Sequence, residues 1–98
     1  TKIPPPVPSG PQIYIVNQTN SGFDTRSITI KAGDTVIWKN IRSRNPEKAM
    51  IIGTQLCTKI RSGVYLPGDS FQWTFDSAGT CTIVDGIYTT QLMNVVVK

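Results

Sequence analysis

Ile28-Thr29-Ile30-Lys31-Ala32-Gly33-Asp34-Thr35-Val36-Ile37-Trp38-Lys39-Asn40 is the stretch that decides the fold. Ile28 and Ile30 alternate with Thr29 and Lys31, the period of two that sends successive side chains to opposite faces of a strand. Ala32-Gly33-Asp34 supplies turn chemistry, and the β-branched and aromatic run from Thr35 to Lys39 predicts a further strand. The same grammar continues outward in both directions. Ile13 and Ile15 alternate with Tyr14 and Val16, and Leu66-Pro67-Gly68-Asp69 forms a second turn, before a strand carrying Phe71, Trp73 and Phe75 on one face. Ser77-Ala78-Gly79 turns into Thr80-Cys81-Thr82-Ile83-Val84, and Val95-Val96-Val97 makes a last strand. No long segment repeats at 3.6 residues with caps, so little helix is expected. Many short strands between Gly, Pro, Asn and Asp turns predict an all-β sandwich or barrel.

The 98 residues suffice for one compact core. With 39% apolar and 16% charged residues the chain falls outside the composition of disordered segments. Its longest apolar runs, Ala49 to Ile52 and Val95 to Val97, are far shorter than the roughly 20 residues that span a bilayer. Thr1 to Gln12 hold five of the seven prolines and predict an extended polyproline arm, preceding a sandwich domain at 13–98. The arm reads as a tether, or as a segment that lies on a neighbouring subunit. A first residue other than Met is read as the loss of a targeting or anchoring segment. Two cysteines, Cys57 and Cys81, in a small chain without histidine favour a disulfide over metal chemistry, with two buried thiols as the alternative. A disulfide predicts an extracytoplasmic place: periplasm, cell surface or secreted.

The order of these pieces resembles that of the cupredoxins, the plastocyanin-like Greek-key β-sandwiches. Two stretches carry the resemblance: residues Ile28 to Asn40, with strand, Gly-Asp turn, strand and terminal Asn, and Leu66-Pro67-Gly68-Asp69-Ser70-Phe71 followed by Phe75 and Gly79-Thr80. It implies a cupredoxin-like Greek-key sandwich and a copper-ligand set at defined positions. The family's first histidine falls near Lys48, and its cysteine, second histidine and methionine fall at Asp85, Tyr88 and Met93. A trigonal copper site needs two imidazoles and a thiolate, whereas an ammonium has no lone pair at neutral pH and a phenol keeps its proton. Copper of the family type is therefore not expected, and no cofactor is. The same topology passes Cys57 close to Cys81, which supports their pairing. A soft-metal cluster of Met50, Cys57, Cys81 and Met93 is the remaining metal reading.

The net charge is +4, and Lys39, Arg42, Arg44, Lys48, Lys59 and Arg61 fall in one stretch. In the resembling topology this stretch lies near the end of the sandwich, where one patch would face an acidic protein or polysaccharide. Nucleic acid is disfavoured because no aromatic platform is interleaved with the cations. Residues 42–47 are expected to be a mobile loop. Asn17-Gln18-Thr19 is a glycosylation acceptor pattern at Asn17. No catalytic constellation is visible, so no enzyme is expected. The leading expectation is a structural or interaction module outside the cytoplasm, acting through protein partners or self-assembly as a subunit of a cell-surface assembly or filament. The alternatives are a soluble binding domain for an acidic partner and an electron-transfer protein with an unconventional metal.

Overall fold

A computed structural model describes residues 10–98, so the tether and docking expectations for the arm fall largely on residues outside the described ones. Eight strands follow: β1 (Ile13–Thr19), β2 (Gly22–Phe23), β3 (Ser27–Ile30), β4 (Thr35–Asn40), β5 (Ile51–Gly53), β6 (Ser70–Thr74), β7 (Gly79–Asp85) and β8 (Leu92–Val97). Among the described residues one 3-10 turn, Gln55–Cys57, accompanies them. The strands make two four-stranded sheets, in the orders β2-β1-β4-β6 and β3-β8-β7-β5. Pairing is parallel between β1 and β4, with Ile15 opposite Ile37, and between β3 and β8; the other pairs are antiparallel. No helix among the described residues is long and apolar enough to cross a membrane.

The two strands of the deciding stretch do not pair with one another, because β3 belongs to one sheet and β4 to the other. Ala32-Gly33-Asp34 is thus a corner between sheets. Gly33 takes φ +99, a conformation that a side chain would strain, and donates its N–H to the Phe75 carbonyl at 2.6 Å. Asp34 locks the corner: its Oδ1 accepts from the Gln12 amide and its Oδ2 from the Lys31 amide, both at 2.8 Å. These contacts explain why a short polar turn can redirect the chain across the sandwich.

Alternation within the strands then builds the core. Val16, Val36 and Trp38 face inward from one sheet and meet Ile30, Ile51, Ile83, Met93 and Val95 from the other. Phe71 and Phe75 pack on the Trp38 ring, with centroids 6.1 and 6.3 Å away. On β1 the same alternation turns Ile13 and Ile15 outward.

The two amide donors hold the Asp34 carboxyl below its ordinary value of 3.8. The native state therefore binds its proton less readily than the unfolded chain, and the stabilisation present above pH 3.8 is lost as pH falls through the lowered native value. Urea midpoints measured on the acid side should fall more steeply for the wild type than for Asp34→Asn; parallel curves would sink this role for the carboxylate.

Candidate functional site

At one end of the sandwich the ends of β1, β4 and β7 and the following loops bring together Gln18, Asn40, Arg42, Tyr65, Asp85, Tyr88 and Gln91. Arg42 and Asp85 form an ion pair at 2.8 Å with both side chains 0% exposed. Such a pair is tolerated only when the remaining donors and acceptors are filled. Here both Asp85 oxygens and all three Arg42 side-chain nitrogens have partners. Asp85 Oδ2 also accepts from Gln18 Nε2 at 2.9 Å, and Oδ1 accepts from the Ile87 and Tyr88 amides at 2.7 and 3.0 Å. Arg42 donates from Nε to the Thr19 carbonyl at 3.1 Å, from Nη1 to the Lys48 carbonyl at 2.8 Å and from Nη2 to Gln91 Oε1. Its guanidinium carbon lies 4.6 Å from the centre of the Tyr88 ring, within cation–π range.

An outer ring of contacts fixes this pair. Asn40 Oδ1 accepts from the Arg42 amide at 2.9 Å, and its Nδ2 donates to the Glu47 and Tyr65 carbonyls. Tyr65 donates its hydroxyl to Gln18 Oε1, and Tyr88 donates to the Pro46 carbonyl at 2.6 Å. Burial, and then the negative charge of Asp85, push the Tyr65 phenol well above its ordinary 10.0. No buried side-chain nitrogen or oxygen among the described residues lacks a partner.

The positions where the cupredoxin resemblance places copper ligands fare differently. Asp85 and Tyr88 meet in the network. Lys48 is exposed and contributes only its carbonyl. Met93 is buried, and its sulfur accepts the Trp38 indole N–H at 3.3 Å. Cys57 and Cys81 are joined in a disulfide with Cα atoms 5.7 Å apart, so the soft-metal cluster loses both thiolates. With no histidine, and with the oxygens of Asp85 already taken, these residues do not fit a copper ion of the family type.

The basic stretch also needs correction. Arg42 is not part of a surface patch, because its guanidinium is spent inside the protein. Lys39, Arg44, Lys48, Lys59 and Arg61 are exposed. Lys59 lines a cleft of about 350 Å³ over the disulfide, together with Leu56, Trp73 and Phe75. Cys81 and Asp85 stand four residues apart on β7, roughly 13 Å, so this cleft and the Arg42 network lie at separate places along the strand. The loop expected to be mobile is tied to Asn20, whose Oδ1 accepts from the Ser43 and Arg44 amides at 2.9 and 3.0 Å. Asn17 sits within β1, and its Nδ2 donates to Asp24 Oδ2 at 2.9 Å, which engages the atom that a glycan would occupy.

Sequence reasoning missed Arg42 and Gln18 as parts of this site. The signal was available in the inward series Cys81, Ile83, Asp85, which places a carboxylate on the core face and so requires a buried partner.

No protein-family model matches the chain, and no curated protein matches it significantly. Solved structures do. A purple cupredoxin from Nitrosopumilus maritimus is 18% identical with a TM-score of 0.78, covering 87% of this chain and 99% of that one. A methionine-to-alanine variant of amicyanin with Cu(I) is 19% identical with a TM-score of 0.77, covering 87% of this chain and 81% of that one. The reduced Cu(I) form of an amicyanin proline variant is 20% identical, again at 0.77, with 94% and 86% covered. Identities this low speak to the fold, and the fold is cupredoxin-like.

Arg42→Ala should cost about 3–5 kcal/mol in chemical denaturation, because it leaves the Asp85 charge buried and unpaired. The Arg42→Ala/Asp85→Ala double variant should lose clearly less than the sum of the singles; additive losses would mean that the two charges do not interact. Ultraviolet titration should show the Tyr65 phenolate forming above pH 10.0. Stability tied to this proton is complete below that value and is lost as pH rises through the raised native one, so Tyr65→Phe should flatten the alkaline limb.

Proposed function

We propose that this cupredoxin-like sandwich is a non-enzymatic interaction domain working outside the cytoplasm, in which a protein-only charge network occupies the end of the fold that the resemblance assigns to copper. One observation carries the reading: the Arg42–Asp85 pair is wholly buried and hydrogen-bonded at both ends, and Asp85 is the residue that the resemblance sets at the thiolate position. The guanidinium already supplies a fixed positive charge there, so an added cation would have to displace it and meet its repulsion. What the domain then offers to the outside is its surfaces and edges. The disulfide supports an extracytoplasmic place, where such bonds persist. Partner proteins, including further copies in a cell-surface assembly, are the expected ligands.

A second reading has its own support in the net charge of +4 and the five exposed cations named above. An acidic protein or polysaccharide bound through them would be released by salt on the scale of the Debye length.

Titration of the full chain with Cu(II), and with Cu(I) under nitrogen, should produce no intense visible band and no rise in thermal midpoint. A strong phenolate-type band that disappears in Tyr88→Phe would sink the interaction reading and favour electron transfer. Binding to polyanions that vanishes at high salt would instead favour the second reading.

A further inference from the structure

The N-terminal strand leaves one edge bare. Even-numbered residues of β1 turn their backbone groups toward β4, as the Gln12 carbonyl bonded to the Thr35 amide and the Gln18 carbonyl bonded to the Ile41 amide show at its two ends. Odd-numbered residues turn theirs the other way. There Asn17 is occupied, since its N–H donates to Asp24 Oδ1 at 3.0 Å and its carbonyl accepts from the Asp24 amide at 2.9 Å. β2 pairs only with Gln18 and Thr19. Among the described residues, the N–H and C=O of Ile13 and of Ile15 therefore have no strand beside them. The side chains of the same two residues are 67% and 62% exposed on the outer face of the sheet, next to Ile37. A charge-free Ile-Tyr-Ile edge is the kind that proteins ordinarily blunt, because it templates the addition of a strand.

We infer that this edge pairs with the same edge of a second copy, antiparallel about a two-fold axis through Tyr14. The register is dictated by the chain itself. With Tyr14 opposite Tyr14, Ile13 of each copy faces Ile15 of the other as a hydrogen-bonded pair, which makes four hydrogen bonds between the two backbones. The next such position outward sets Pro11, which has no N–H, against Asn17, which is already bonded to Asp24, so pairing stops there on both sides. Four isoleucines come together on one face, and two four-stranded sheets merge into one. A heterologous partner strand could use the same hydrogen bonds, but the self-complementary register and the two internal stops fit a second copy. The contact is small beside the 1,200–2,000 Å² or so of stable complexes, so a Kd on the order of 100 μM is expected. The proposal rests on the domain acting through its surfaces. Its failure is separable from failure of that reading: a monomer would leave the copper titration unchanged, and a copper band would leave the dimer intact.

The test is sedimentation equilibrium of the full chain from about 10 μM to about 2 mM, together with amide hydrogen exchange at Ile13 and Ile15. The wild type should pass from the 10.8 kDa monomer to a dimer, tolerate high salt, and show protection of both amides that grows with concentration. Ile15→Lys and Ile13→Pro should each weaken association about tenfold or more with an unchanged circular dichroism spectrum, while Leu56→Lys, at a distant side chain 90% exposed, should not. A monomer across the whole range would overturn the proposal. So would a dimer indifferent to Ile15→Lys, or amides protected equally at every concentration, which would mean that the chain's own N-terminal segment covers the edge.

Discussion

Everything at one end of this sandwich is arranged around two charges that water does not reach. Removing a guanidinium and a carboxylate from solvent costs several kcal/mol for each ion, and their mutual attraction offsets this only when geometry and hydrogen bonding are both complete. Completeness is what recruits the surroundings. Gln18 comes from β1 and the Ile87 and Tyr88 amides from the loop after β7, and each fills an oxygen of Asp85, while Asn40 at the end of β4 holds the Arg42 backbone amide. Loops 42–48 and 86–91 are therefore placed by polar contacts rather than by sheet pairing. Because Gln18 and Asp85 belong to opposite sheets, their bond also fixes how the sheets face one another at this end.

Strand β7 carries a second closure four residues away. The Cys57–Cys81 bond holds the 3-10 turn against the strand, and Gly53 makes room for it, since a side chain at that position would overlap the Cys57 carbonyl. The intervening inward residue is Ile83, fully buried in the aliphatic core. One strand thus runs from a covalent tie through a dry core to an ionic tie, and the two ties answer to different conditions. The first depends on the redox state of the surroundings and the second on the exclusion of water.

A period of two made β1, β3 and β6 legible, and runs rich in β-branched and aromatic residues did the same for β4, β7 and β8. β5 was not legible: Ile51-Ile52-Gly53 is three residues long and shows no alternation, and β2 is only two residues long. Sheet membership was hidden as well, since the parallel pairing of β1 with β4 is non-local and no turn announces it. The site was half legible. The resemblance directed attention to Asp85 and Tyr88, but Arg42 read as a surface cation because arginine is rarely buried without a partner, and its partner lies on a strand far along the chain. The absence of histidine was plain in the sequence; the buried ion pair was not.

The position of β8 makes the two sheets depend on one another. It lies between β3 and β7, so the last six strand residues, Leu92–Val97, form an interior strand of their sheet rather than an edge. Without them β3 has no strand to pair with, and the inner faces of β4 and β6 have nothing to pack on except β7 and β5. A cut before Leu92 thus removes two strands of four from one sheet, so the fold has no stable half and is gained or lost as a whole.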